Sequence, residues 1–174
     1  MGGVVLVEDE TRVEFEARED HIWAPKGVYP QVEITQEKKA HCFFGALDVF
    51  TGEPIVHESE RMVSRETVRL LEKIRSQYQR RMKKKKPVLL IWDGAPWHRG
   101  EVRKYLKGKN WLELMSFPPY SPELNPQEWI WKEAKKAITN NHEEEDFADL
   151  VYKFYRFITQ RKFSTKMCKN ILRF

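Results

Sequence analysis

Three carboxylates far apart in the chain stand where acidic side chains can do chemistry. Asp93 closes "VLLIWD" (88–93), the most hydrophobic strand-like run in the sequence. A carboxylate there either emerges at the strand's C-terminal edge, where open α/β sheets bind ligands, or has to be paired. Asp-Gly is also a common turn pair, so Asp93 alone supports a site and a surface turn equally. Asp9 repeats the arrangement at the end of "VVLVED" (4–9), between Glu8 and Glu10. Adjacent carboxylates repel one another unless cations are near. Strand alternation sets Val5, Val7 and Asp9 on one face and Leu6, Glu8 and Glu10 on the other, where the two glutamates read as solvated. If the two strands are neighbours, about 4.8 Å apart, their terminal aspartates could share a metal.

Glu128 has two readings. In "NPQE" (125–128) Asn125 fits an N-cap, Pro126 the first helical position and Glu128 the third, so the glutamate can simply return a bond to the cap. A cap does not explain the stiff approach "PPYSPELNP" (118–126), which suggests that the helix is being aimed. Three convergent carboxylates suit phosphoryl transfer with two divalent ions, one activating the attacking oxygen and the other holding the leaving oxygen. Hard Mg²⁺ takes oxygen ligands and keeps waters, so a few acids suffice. The five histidines show no zinc-type spacing.

The elements that must position these acids follow from pattern. Residues 4–9 read as a buried strand, and residues 12–16 and 20–24 as polar-apolar mixtures leading to a turn at "WAPKG" (23–27). Residues 40–50 read as a third strand, turned by "TGEP" (51–54), giving a three-stranded antiparallel meander. From Ser64 the period becomes helical through Val68, Leu71, Ile74 and Tyr78, up to "RRMKKKK" (80–86). Strand 88–93, a short helix around 98–107, strand 112–117, a helix over 126–139 and a last helix over 144–160 complete an α/β chain without repeat or linker.

Length and composition set the frame. At 174 residues the chain fits one domain, and 41% apolar residues exclude disorder as the default. A net charge of +5 is compatible with a polyanionic partner and with lysine used for solubility. Two distant cysteines, Cys42 and Cys168, argue against a disulfide framework. The apolar run at 2–7 is too short for a signal peptide, and no run approaches a membrane span. A cytoplasmic protein is expected.

Four ordered blocks carry a family resemblance. "VEDET" (7–11), "WAPKG" (23–27), "LLIWDGAPWHRG" (89–100) and "FPPYSPELNPQEWIWKEAKK" (117–136) resemble the signature blocks of the DDE transposases, in particular the mariner-related superfamily with its insertion-sequence enzymes. The resemblance implies an RNase H-like fold, a mixed five-stranded sheet flanked by helices, with Asp9, Asp93 and Glu128 as catalytic metal ligands. Thirty-four residues lie between Asp93 and Glu128, similar to the family spacing. It further implies two Mg²⁺ or Mn²⁺ ions, DNA as substrate, hydrolysis at transposon ends followed by 3′-hydroxyl strand transfer, and a homodimer that pairs two ends. His98 matches the family's "DxAPxH" block and is a candidate for positioning substrate, or for local packing at a helix start. Gly94 stands where relatives often carry Asn. Relatives place helix-turn-helix segments before the first Asp, so residues 1–174 are expected to form a single catalytic domain, with that DNA-binding region missing or separately encoded. An RNase H-like nuclease for RNA-containing or branched substrates, and a non-catalytic DNA-binding or assembly module, are the alternatives.

Charge and aromatics add candidates for contact. Lys132, Lys135 and Lys136 follow Glu128 on its helix and could meet phosphates or act as ion-pair partners. The run 80–86 reads as a solvated helix end that complements the helix dipole, with DNA contact as the alternative. Trp129, Ile130, Trp131, Ala134, Ala137 and Ile138 read as a core stripe, whereas Trp23 and Trp97 lie in turns open to binding. The aromatic run "VYKFYRFI" (151–158) reads as the packing face of the last helix.

Overall fold

The computed structural model describes residues 3–16, 23–29, 31, 37–82, 87–166 and 168, without the side chains of 80–82. Its centre is β1 (Val4–Glu14), which alternates between two apolar layers because both faces of the strand are covered. β2 (Ala40–Asp48) pairs antiparallel with β1, and β3 (Pro54–Ser59) antiparallel with β2. β4 (Val88–Trp92) pairs parallel with β1, and β5 (Leu112–Ser116) parallel with β4. The sheet order is β3-β2-β1-β4-β5, so the mixed five-stranded sheet is present and the first and fourth strands are neighbours.

Two helices cover each face. α1 (Ser64–Met82) and α2 (Glu101–Leu106) supply Leu70, Leu71, Ile74, Tyr78 and Val102, packed against Leu6, Phe44, Leu90 and Trp92. α3 (Pro126–Ala134) and α4 (Phe147–Thr159) supply Ile130, Trp131, Leu150, Phe154 and Ile158, packed against Val7, Phe43, Leu47 and Ile91. The "VYKFYRFI" pattern thus packs α4 through Phe154 and Ile158, while Tyr152 is exposed.

The meander has other strands than those read from the pattern. Residues 12–14 continue β1 rather than begin a second strand, since Arg12 to Glu14 stay in register with Cys42 to Ala40. The stretch 20–24 supplies no strand among its described residues, Trp23 and Ala24. The third strand is "PIVHES", opened by a proline at the sheet edge, where a missing N–H costs no ladder bond. The turns at 25–27 and 51–54 form as expected, with Gly27 and Gly52 at φ 87° and 71°. A single-turn 3₁₀ helix, Pro96–His98, precedes α2 in place of one continuous helix, and α3 widens into a π turn over Lys135–Thr139. Residues 83–86 and the side chains of 80–82 lie outside the described residues, and with them most of the basic run. Cys42 and Cys168 are free and buried, and no helix among the described residues is long and apolar enough to cross a membrane.

Candidate active site

Register brings two of the acids together. Val7 is paired with Ile91, so two residues further on Asp9 and Asp93 leave the same face of parallel neighbours at the C-terminal edge of the sheet. Asp93 starts a turn as well: its Oδ1 accepts a hydrogen bond from the Ala95 N–H at 2.8 Å, and its side chain stays half exposed. The turn reading of Asp93 thus holds, at a position that also opens at the sheet edge.

The third acid arrives on α3, whose start is pinned to β1. Asn125 Oδ1 caps the helix by accepting from the Gln127 N–H at 3.1 Å, while its Nδ2 donates to the Glu8 carbonyl at 2.9 Å. That second bond fastens the helix entrance next to Asp9. The reciprocal half of a capping box is not made, because the Asn125 N–H donates to the Pro122 carbonyl at 3.0 Å. A 3₁₀ turn over Pro122–Leu124 provides that carbonyl, so the proline-rich approach releases Glu128 from capping. Asp9, Asp93 and Glu128 then line one cavity of about 500 Å³ with Gly94, Ser116, residues 117–122 and Asn125.

The cavity's electrostatics are unbalanced. Burial, then the Glu128, Glu10 and Asp93 carboxylates, push the Asp9 carboxyl up to about 8, and the buried Oδ2 of Asp9 has no hydrogen-bond partner. Among the described residues, no lysine or arginine lines the cavity. Such a set either holds protons or holds cations.

The opposite face of β1 corrects the expectation of solvated glutamates. Glu8 is fully buried and the Glu10 side chain is only 3% exposed, because β1 runs on to Glu14 and the Pro96–His98 turn covers them. His98 Nε2 donates to Glu10 Oε1 at 2.9 Å and lies 3.2 Å from Glu8 Oε2, the latter an ion-pair contact without hydrogen-bond alignment. Its Nδ1 lies 3.1 Å from the Asp93 carbonyl, and the ring stacks on Trp92 with centroids 4.3 Å apart. Burial disfavours the charged ring, but the Glu10 hydrogen bond and the attraction of the Glu8 and Glu10 carboxylates outweigh it and lift its pKa to about 11. Burial above all, with Glu10 beside it, holds the Glu8 carboxyl well above the usual carboxylate range. The Trp97 indole N–H also donates to Glu10, so this tryptophan is tied down rather than open. His98 packs behind the cavity and clamps β1 to β4, instead of lining the cavity.

Glu8, Glu10 and His98 are the trio among the described residues whose ligand atoms lie within 4.8 Å of one another. The imidazolium already supplies the positive charge there. Asp9, Asp93 and Glu128 do not form so tight a group.

The remaining candidates sit outside the cavity. Lys132 and Lys136 are exposed and Lys135 is half-buried; Lys132 Nζ lies 5.8 Å from the Trp129 ring centroid. Trp129 and Ala137 fall off the expected core stripe, since Ile130, Trp131 and Ala134 take the buried face and Trp129 is 51% exposed. Sequence reasoning missed Gln127, fully buried beneath Gly45, where an added Cβ would lie 2.6 Å from Gln127 Nε2. Gly45 is the β2 partner of Asp9, and an interior glycine in a strand is the one signal of that close approach.

The comparisons with known proteins agree with this geometry. Residues 4–151 match the family model described as DDE superfamily endonuclease. The insertion element IS630 uncharacterized 39 kDa protein of Shigella sonnei is 25% identical over 155 residues, 88% of this chain and 44% of that protein. The uncharacterized protein y4pE/y4sA of Sinorhizobium fredii is 40% identical over 63 residues, 36% of this chain and 44% of that protein. Among solved structures, the mariner Mos1 paired end complex with Mg superposes with a TM-score of 0.72 at 16% identity, over 98% of this chain and 53% of that one. The catalytic domain of Mos1 mariner transposase gives 0.65 at 14% identity, over 97% of this chain and 75% of that one. These structural likenesses establish a common RNase H-like fold, and the chain matches less than half the length of the two relatives.

Proposed function

The chain belongs to the DDE superfamily endonuclease family, and from that premise we propose that its cavity is a divalent-metal centre that cuts DNA and joins the freed end to a target strand. The observation that carries the reading is the convergence of Asp9, Asp93 and Glu128, from three distant segments, on one cavity whose lining, among the described residues, holds no lysine or arginine. Asp9, Asp93 and Glu128 would hold two Mg²⁺ or Mn²⁺ ions: the donors are hard oxygens, and the orphaned Oδ2 of Asp9 is a ready ligand. When bound, such ions activate the attacking oxygen, stabilise charge on the phosphate and hold the leaving oxygen. The Mos1 complexes with Mn and with Mg are consistent with that choice of ion.

The chain's own residues do the positioning. The Asp93 backbone is held through its Ala95 turn and His98, while Asn125 sets the distance between the α3 entrance and β1. Asp9 has to lose its proton for the centre to load, which ties ion uptake to pH. In the first step water would attack the phosphorus at a DNA end and the 3′-oxygen would leave as a hydroxyl; in the second that 3′-hydroxyl would attack a target phosphodiester, and the target strand's own 3′-oxygen would leave as a hydroxyl. Lys132, Lys135 and Lys136 extend beyond Glu128 and suit contacts with DNA phosphates outside the cavity. Two copies acting together, one per DNA end, and recognition of those ends by segments outside this catalytic domain complete the proposal, with the protein acting at the nucleoid.

Nicking of supercoiled plasmid and of short duplexes in Mg²⁺ or Mn²⁺ tests it, with Asp93→Asn as control. The reading requires cleavage that depends on the metal and disappears in the variant. Faster cleavage of RNA–DNA hybrids or branched junctions than of duplex DNA would move the assignment to another nuclease class on the same fold.

A further inference from the structure

On the face of β1 turned away from the acidic cavity, Glu8 is fully buried, yet neither of its carboxylate oxygens has a hydrogen-bond partner. Native folds seldom leave such a group unsatisfied, and a bound ion is one of the few things that accounts for it. Two further donors face it. Among the described residues, Glu8, Glu10 and His98 are the trio whose ligand atoms all lie within 4.8 Å of one another. His98 Nε2 is 2.9 Å from Glu10 Oε1 and 3.2 Å from Glu8 Oε2. A tetrahedral ion that holds nitrogen and oxygen at about 2.0–2.2 Å spaces its donors about 3.3 Å apart, so both contacts fall within a few tenths of an ångström of that spacing.

The ring of His98 is also held as metal-bound histidines are. Its other nitrogen, Nδ1, lies 3.1 Å from the Asp93 carbonyl and 3.4 Å from Asp93 Oδ1, and the ring stacks on Trp92. Acceptors on that side fix the tautomer that leaves Nε2 available to an ion. Trp97 donates its indole N–H to Glu10 and orients that carboxylate in the same way.

We propose that Glu8, Glu10 and His98 form a structural metal site, separate from the acidic cavity, that takes a borderline divalent ion of the Zn²⁺ class. The site stands whether or not the cavity cuts DNA. Glu8 supplies a bidentate arm through its two oxygens, and Glu10 and the imidazole complete four donor atoms. The Nε2 proton leaves for solvent as the ion enters, so two positive charges replace one against two carboxylates. An imidazole donor, in an enclosure where the three side chains are at most 5% exposed, favours Zn²⁺ or Co²⁺. Mg²⁺ keeps its waters, and Mn²⁺ stands lowest in the first-row order of affinity. Glu8 and Glu10 flank Asp9 in the chain, and His98 is held at the Asp93 carbonyl, so one ion would lock the two strand ends that carry the cavity's aspartates.

Titration with Co²⁺, read by its visible absorption, tests the proposal, with excess Mg²⁺ present to occupy the acidic cavity. Four-coordinate Co²⁺ absorbs strongly and six-coordinate Co²⁺ weakly. The parent should give an intense band that saturates at one ion per chain and is displaced by Zn²⁺. Glu8→Gln should weaken Co²⁺ binding at least about tenfold and abolish the intense band. Its ion-free melting temperature should match the parent's, because glutamine fills the same volume without a charge. His98→Gln should abolish the band as well, and should it fail to fold, Glu8→Gln decides alone. Glu128→Gln should keep the band. Zn²⁺ should raise the melting temperature of the parent and of Glu128→Gln but not of Glu8→Gln. No intense band in the parent, a band undiminished in Glu8→Gln, or one lost in Glu128→Gln would overturn the site. A Glu8-dependent band in a protein that cleaves no DNA supports the site while the catalytic reading falls.

Discussion

Two acidic clusters in this fold are treated in opposite ways. Between β3 and α1, Glu66 meets His57 Nε2 at 2.7 Å and Arg69 Nη1 at 2.9 Å from both its oxygens. Burial would raise its pKa, but those bonds outweigh burial and leave it lowered. At the sheet's C-terminal edge Asp9 is also largely buried, yet its neighbours Glu128, Glu10 and Asp93 are acids and its carboxyl is driven up to about 8. A paired acid secures the fold, whereas Asp9 faces other acids, the arrangement that the proposed metal centre requires, with His98 Nδ1 3.4 Å from Asp93 Oδ1 as the nearby positive charge. The Glu8–His98–Glu10 cluster lies between these cases, directly behind the cavity and carrying its own cation.

The comparison breaks first under mutation of activity. Asp93→Asn should lower cleavage roughly 10³-fold or more, since lost metal stabilisation of several kcal/mol corresponds to a decade for each 1.36 kcal/mol. The same change should leave the urea midpoint about unchanged, because relief of repulsion on Asp9 is offset by loss of the ion-pair contact between Asp93 Oδ1 and His98 Nδ1 at 3.4 Å. Glu66→Gln should do the reverse: cleavage within a few-fold of the parent, with stability reduced by about 2 kcal/mol in urea unfolding, a figure set below that for a fully buried pair because Arg69 is half exposed. Equal losses of activity in the two variants would erase the distinction.

Packing beneath the site gives a smaller effect. A Cβ on Gly45 would approach Trp131 Cζ2 to 2.5 Å, so Gly45→Ala should destabilise by about 1–3 kcal/mol through overpacking, read as a lowered urea midpoint.

The pH dependence of the ion-free protein sharpens the comparison further. Asp9 at about 8 and His98 at about 11 are both raised above their ordinary values of 3.8 and 6.5, so the folded state holds protons that the unfolded chain releases. Their stabilisation is complete below the ordinary values and is lost as pH rises, for Asp9 between about 4 and 8 and for His98 between about 6.5 and 11. Glu66, lowered, acts in the other direction and loses its contribution as pH falls. Thermal melts should therefore decline from pH 5 to pH 9 without divalent ions, and Mg²⁺ should restore the part due to Asp9 but not the part due to His98.

Much of this was legible in the sequence, for identifiable reasons. The apolar runs ending in Asp9 and Asp93 marked both strands and, through alternation, the face of each aspartate, but not the end of β1, which runs on to Glu14 in register with β2. Glu128 was ambiguous, since N-cap chemistry and ligand chemistry use the same residue in the same first turn. The Asn125–Pro122 hydrogen bond removes the reciprocal capping bond, and it depends on a 3₁₀ turn that local propensity does not specify. Glu8 and Glu10 were misread as solvated because their burial comes from the Pro96–His98 turn, remote in sequence. "PIVHES" escaped notice because a strand opening on proline is legible only once its edge position is known. Trp129 was grouped with Trp131, although adjacent helical positions cannot all share one buried face.

Calorimetric titration with Mn²⁺ at pH 8 tests the central claim most directly, that the Asp9–Asp93–Glu128 cavity binds divalent cations. The account predicts binding by the parent protein, at least tenfold weaker binding by Glu128→Gln, and parental binding by Glu66→Gln. Undiminished Mn²⁺ binding by Glu128→Gln would contradict it.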